Sequence, residues 1–506
     1  MTDTIRAPRP DGGVAAAEPA DRHPDHARRW WILAVIGVAQ LMVVLDSTVV
    51  NIALPSAQAD LGFSDASRQW VVTAYALAFG SLLLIGGRIA DVFGRKRVFL
   101  IGLGGFAVAS AIGGAAIDFP MLVAARAVQG AFGALLAPAG LSLLTTTFTE
   151  AKERGKAFGI YGGIAGAGAS IGLLLGGFLT EYASWRWTMF VNLVFAAFAL
   201  VGGMTFLTHR AAESRPHLDL IGTVLVSAGL FSLVYGFSNA DTNGWSNPFT
   251  IGFLVVAAVL LVAFVIFETR VSNPLLPMRV VLDRNRGGAY LAMFFAAIGM
   301  FGVFLFLTYY LEVSLSYSSV KTGLVFLPMT GLLVVTAGTA STLLATRVSP
   351  RVLIPVGMIL AAIGMAMLTR IGLQSQYLSV ILPGTLVIGL GLGLVFAPAF
   401  SIGTLGVRPE DSGVASATVN TVQQVGGSIG TALLNTIAST AAATYVAAHL
   451  SDGSAQLVQA RAALHSYTTA FWWSAAIFAI AGVLVAITLR SGVPQLDDDA
   501  PVAMAH

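Results

Sequence analysis

Apolar stretches of roughly 18 to 25 residues recur along the whole chain, the length at which a helix crosses about 30 Å of hydrocarbon. Fourteen are read from the sequence, near 31–55, 70–88, 97–117, 120–146, 157–180, 187–208, 219–237, 249–267, 288–311, 321–345, 352–370, 378–404, 412–440 and 467–489. Only 10% of the residues are charged, against about 25% in an ordinary soluble domain. The expected fold is an all-α integral membrane protein with 14 transmembrane helices.

Orientation follows from lysine and arginine, which concentrate in cytoplasmic loops. With the amino terminus inside, the inside segments carry 22 of the 28; Arg68, Arg186, Lys321, Arg370 and Arg461 fall outside, and Arg126 falls within a span. Both termini are therefore expected in the cytoplasm. Residues 1–29 read as a disordered tail without the apolar core of a signal peptide, and 491–506 as a second tail.

Three segment pairs repeat at nearly constant separation. The stretch from Gly155 resembles that from Gly413, 132–139 resembles 392–399, and 60–64 resembles 314–318. The shared order predicts two parallel six-helix halves, 30–210 and 286–490, joined by a two-helix insert, 211–270. Parallel halves are one plan of transporters, with substrate held between them near the midplane.

The loop GGRIADVFGRKRVFL, residues 86–100, carries Gly87, Asp91, Gly94, Arg95, Lys96 and Arg97. Its glycines permit a tight turn and close helix approach. This spacing resembles the signature loop of the major facilitator superfamily. LDSTVVNIALP at 45–55, LVAARAVQGAFGALLAPAGL with Arg126, Gln129 and Gly130, SWRWTMFVN at 184–192 and the segment 409–430 extend the resemblance to its 14-span drug:proton antiporters. Two positions depart from that pattern: Leu173 follows Gly172 where a proline is usual, and Leu193 and Val194 stand where another is common. A bend of the fifth span must come from glycines. The resemblance implies a secondary exporter in a bacterial plasma membrane, exchanging protons for amphipathic, often cationic, drugs or antibiotics.

Two ionisable residues lie well inside spans, Asp46 and Arg126. Such groups usually face a cavity, pair with one another, and mark proton or ion pathways. Burial disfavours the charged form of a carboxyl group and a nearby cation favours it. Proton and cationic substrate can thus compete at Asp46; a structural carboxylate bonded to Ser47, Thr48 or a neighbouring helix is the other reading. Arg126 lies about 10 Å below the outer end of its helix. The resemblance gives it a part in the proton relay, while packing against carbonyls of the first span stays open.

Asp91 with Arg95 and Arg97, in the loop that carries Gly87 and Gly94, reads as a cytoplasmic latch whose charge pairs hold one conformation. Glu312 stands at an outer mouth, as a solvated residue or a gate, and Glu268 with Arg270 reads as an anchor closing the eighth span. Asn420, Gln423 and Gln424 share one helix face. With Gln40, Asn51, Tyr75 and Gln129 they line a substrate cavity or bind helices together.

No GxxxxGK[ST] phosphate loop, catalytic triad or histidine-rich site stands in the sequence, and it has no cysteine. The expectation is a transporter and not an enzyme, with no cofactor, metal or nucleic-acid partner, working as a monomer with small molecules, protons and lipid as its partners. A proton-coupled symporter or lipid or metabolite transporter on the same fold, and a non-transporting sensor or scaffold, are the alternatives.

Overall fold

The computed structural model describes residues 28–63, 65–208, 219–340, 347–450 and 454–492. Both tails, but for residues 28, 29, 491 and 492, lie outside these. All regular elements among the described residues are helical. They run α1 (Arg29–Leu61), α2 (Asp65–Phe93), α3 (Arg95–Gly114), α4 (Phe119–Thr147), α5 (Ala151–Tyr182) and α6 (Trp187–Phe206). Next come α7 (Leu220–Asn243), α8 (Pro248–Glu268), a one-turn α9 (Met278–Val281) and α10 (Arg284–Tyr309), which ends in a π-helical turn, Tyr310–Ser314. The last are α11 (Ser319–Thr339), α12 (Pro350–Leu368), α13 (Leu382–Gly403), α14 (Ser412–Ala448) and α15 (Ala455–Thr488).

Helices are the expected answer in a medium without water, because each satisfies its own backbone groups. Their starts are written locally. Asp118, Asp219, Asn247, Asp283, Ser318, Ser349 and Ser454 each accept a bond from a backbone N–H in the first turn. That satisfies a donor the helix itself leaves open.

Twelve helices among the described residues are long and apolar enough to cross a membrane: α1 to α4, α6 to α8, α10 to α13 and α15. A thirteenth, α5, qualifies as two segments, Lys152–Gly168 and Ser170–Tyr182, inclined by 45°. The bend falls in the glycine-rich run just ahead of Leu173, as expected where the usual proline is absent. The expected fourteenth span corresponds to α14, which is 37 residues long but not among those that qualify. Its residues Ser412 to Thr421 are all buried, and it packs on α2, α4, α7, α10 and α15. That enclosed first part has no need of the apolar surface that lipid demands, so Ser, Thr and Asn occupy it freely.

The α7–α8 hairpin leans through α7 on α2 and α14, while α8 packs mainly on α7. Accordingly α8 turns Val255, Val259, Val262 and Ile266 outward. The chain also passes directly between distant regions: α5 packs on α11 and α13, and α14 on α2 and α4. His465 lies on α15.

Close helix approach rests on glycine at defined points. Gly94 turns the chain between α2 and α3 with φ +91°, a conformation that favours glycine. On α12 and α13, a Cβ at Gly391 would stand 2.4 Å from the Gly357 carbonyl oxygen and 2.6 Å from the Ala361 nitrogen. Gly391→Val is expected to destabilise the fold by about 1–3 kcal/mol or more, read as a lower thermal midpoint in detergent. Gly331→Ala, at a site with no neighbour within 4 Å of the added atom, should leave the midpoint nearly unchanged; equal midpoints for both variants would refute close packing there.

Candidate functional site

Asp46 is 1% exposed and Arg126 is 1% exposed, and they form an ion pair. Arg126 Nη1 donates to Asp46 Oδ2 at 2.6 Å. The other carboxylate oxygen, Oδ1, accepts from Gln129 Nε2 at 2.6 Å and Asn192 Nδ2 at 2.7 Å. Gln129 also accepts from Arg126 Nη1 at 2.7 Å and reaches the Ser110 hydroxyl at 2.7 Å. Arg126 Nε donates to the Val71 carbonyl at 3.2 Å, and its guanidinium lies 4.4 Å from the centre of the Tyr75 ring. Five helices, α1, α2, α3, α4 and α6, thus converge on one carboxylate.

A single charge at the centre of a membrane helix costs about 2.5–3.5 kcal/mol. Here each charge has the other, plus neutral dipoles around both. The carbonyl that receives Arg126 belongs to α2 and not to the first span, the alternative that the sequence left open; α1 contributes the carboxylate. Of the structural reading, the neighbouring-helix arm matches the contacts: Asp46 is bonded from α4 and α6, while the Ser47 and Thr48 hydroxyls donate to the carbonyls of Val44 and Leu45. A carboxylate receiving three donors is a two-state element: one added proton cancels the ion pair and converts an acceptor into a donor.

A second cluster joins α2, α4 and α5 to α13 and α14. Asp91 Oδ1 accepts the backbone N–H of Gly413 at 3.0 Å and lies 3.7 Å from an Arg95 nitrogen. A Cβ at Gly87 would meet the Gly413 carbonyl at 2.5 Å, and one at Gly413 would meet Gly87 O at 2.3 Å. Ser142 and Ser412 share a bond of 2.6 Å. Arg154, also buried, donates to Thr404 Oγ1 at 2.9 Å and to the Ser401 carbonyl at 3.1 Å. Arg97, expected in the latch, is exposed and takes no part in these contacts, whereas Ser142, Arg154 and Ser412, which the sequence reading did not single out, do.

The expected cavity residues do not converge. Gln129 and Tyr75 belong to the Asp46 network and are buried, because an amide and a ring beside a guanidinium gain more there than in open water. Gln40 accepts from the Tyr161 hydroxyl at 2.8 Å, beside a cavity of about 10 Å³, near the lower limit for one water. Asn420 donates to Ser416 O of its own helix at 2.9 Å. Gln423 is half-buried, as is Gln424, whose Cγ lies close to Gly80 of α2. The Asn51 side chain lies outside the described residues. Glu312 is half-buried in the π-helical turn, and Glu268, expected as an anchor closing the eighth span, is 3% exposed, its carboxylate accepting the Leu276 N–H.

Ser110 and Asn192 were missed as site residues. Ser110 offered only a hydroxyl within an apolar run, a feature shared by many positions here, whereas Asn192 closes the segment SWRWTMFVN that carries the family resemblance.

The profile of the Major Facilitator Superfamily matches residues 36–431. The chain is 47% identical over 494 residues to the puromycin resistance protein pur8 of Streptomyces alboniger, covering 97% of each. It is 40% identical over 412 residues to the cephamycin export protein CmcT of Amycolatopsis lactamdurans, covering 80% of this chain and 84% of that one. The structure of the human organic anion transporter MFSD10 (TETRAN) aligns with a TM-score of 0.61 and 16% identity, covering 92% of this chain and 100% of that one. That last likeness is one of fold.

Removing one partner of a buried pair strands the other, at about 3–5 kcal/mol. Arg126→Met should therefore lower stability by about that amount, and adding Asp46→Asn should recover part of it. Thermal unfolding of the native protein, both single variants and the double variant measures this; strictly additive losses would mean that the two side chains are not coupled.

Proposed function

The chain belongs to the Major Facilitator Superfamily as a multi-pass membrane protein, and from that premise we propose that it is a proton-driven exporter of amphipathic, often cationic, antibiotics or drugs. The observation that carries this reading is the fully buried Asp46–Arg126 pair. Its relatives, a puromycin resistance protein and a cephamycin export protein, support the substrate class.

In this mechanism Asp46 is the proton carrier. Protonated, it releases Arg126, which keeps the Val71 carbonyl, the Gln129 amide oxygen and the Tyr75 ring as partners. Deprotonated, it re-forms the ion pair or answers a cationic substrate. The two ligands thereby exclude one another, which is the condition for exchange. The membrane potential favours inward positive charge by about 2.3 kcal/mol per charge per 100 mV.

The topology in this reading has fourteen spans, with α5 and α14 added to the twelve. Residues 30–210 and 286–490 form two six-helix bundles, 211–270 forms the insert, and both termini face the cytoplasm of a bacterial cell. The contacts of Asp91 with Gly413, Ser142 with Ser412 and Arg154 with Thr404 then bridge the bundles at their cytoplasmic ends. They hold that side shut and break when the bundles rock. Gln423, Gln424 and Glu312, none of them fully buried, face the path that opens. The working unit is the monomer in its lipid surroundings.

Proteoliposomes carrying the purified protein test this directly. An imposed pH gradient should drive ethidium or puromycin against its concentration gradient in exchange for protons. Asp46→Asn should abolish gradient-driven flux and make what dye binding remains independent of pH. Full coupled flux in that variant would remove Asp46 from the proton pathway.

A further inference from the structure

The α7–α8 hairpin holds a carboxyl pair that the proposed transport pathway does not use. Asp219 begins α7, and its Oδ1 accepts the Gly222 N–H at 2.9 Å. Glu268 ends α8, is 3% exposed, and through Oε2 accepts the Leu276 N–H at 2.9 Å. Each carboxyl group thus has one oxygen held by the backbone.

The remaining two oxygens, Asp219 Oδ2 and Glu268 Oε1, are both buried and both lack a donor. They border the same small space. A Cβ at Gly222 would stand 2.3 Å from Asp219 Oδ2 and 2.4 Å from Glu268 Oε1, so glycine leaves the gap between them open. Ionised carboxylates only accept hydrogen bonds, and two of them this close cannot both stay ionised without a counter-charge.

The charged groups on neighbouring elements are committed elsewhere. Arg270 is exposed. Arg279 pairs with Asp411 at 2.5 Å. On α2, Arg95 pairs with Asp91 at 3.7 Å, and the buried Arg88 lies near Asp91 and does not act on Glu268. Asp219 is the one charged side chain acting on Glu268 among the described residues, and it lies within hydrogen-bonding reach.

We propose that Asp219 and Glu268 form a proton-binding site separate from Asp46, holding one proton between Oδ2 and Oε1. One proton satisfies both orphan oxygens and removes the like-charge conflict. The site also secures the segment after α8: Glu268 holds the Leu276 amide, and Leu275 and Leu276 pack with Leu84 of α2 and Val414 and Ala417 of α14. Loss of the proton leaves two carboxylates facing each other at the point where this segment is anchored.

Infrared difference spectroscopy of the purified full-length protein, recorded as pH is raised, tests the site. The native protein should show loss of a protonated-carboxyl carbonyl band. Glu268→Gln and Asp219→Asn should both lack that band, and Asp46→Asn should retain it. Both test variants keep the backbone bond, since an amide oxygen accepts as a carboxylate does and asparagine caps a helix as aspartate does. Their thermal midpoints should stay close to native, which separates loss of the proton from loss of the fold. A native band persisting undiminished in both variants overturns the proposal. So does a signal that follows sodium concentration and not pH, which would mark a monovalent cation in the gap.

Discussion

The buried contact between Asp46 and Arg126 organises the bundle around it. In hydrocarbon neither charge is tolerable alone, and bringing the two together requires α1 and α4 to sit at one fixed register. Once paired, they still present unsatisfied donors and acceptors, and these draw in Val71 of α2, Ser110 of α3 and Asn192 of α6. The apolar surfaces of these helices set that they pack; the polar network selects the arrangement in which they do so. A buried pair is weak evidence for net stability but can confer such specificity, and this one also sits where a proton would reverse its sense.

At the other functional cluster, charge is matched to helix ends. Asp91 meets an N–H in the first turn of α14, and Arg154 meets carbonyl and hydroxyl groups at the end of α13. A helix start carries partial positive charge and a helix end partial negative charge. The contacts therefore need no matching charged side chain on the opposite helix. Asp91 and Arg154 are thereby held electrostatically to α14 and α13 through backbone and hydroxyl groups alone. This arrangement also makes glycine at 87 and 413 a requirement, since Asp91 reaches the Gly413 amide only where the two backbones touch.

Hydropathy made the helical class and most of the spans legible, because each lipid-facing helix must be apolar along its own length. The stretch 412–440 also reads as a span, but α14 is not among the helices apolar enough to qualify, because its start at Ser412–Thr421 is buried against protein and local composition there carries no such demand. Asp46 and Arg126 stood out because ionisable residues in apolar runs are scarce. Ser110 and Asn192 did not, because a hydroxyl or an amide is common in these helices and its importance depends on what another helix brings opposite. Gln129 shows the same limit from the other side. An amide inside a span satisfies equally a water-lined cavity or a carboxylate, and only the packing of α1 on α4 decides between them.

The same reasoning bears on Glu268. At the end of a span, beside Arg270, it looks like any residue that marks a membrane boundary, and composition assigns it to water. Two distant features bury it: the Leu276 amide, supplied by a segment that folds back beneath α7, and Gly222, whose missing side chain admits the carboxyl group. Neither is visible at Glu268 itself. Charged residues at the edge of a span thus fall into two kinds that sequence cannot separate, those that face solvent and those that the next segment covers. In the second kind the surrounding backbone supplies donors for some oxygens and leaves the rest to a proton, so the chemistry of the site is set by the fold of the linker.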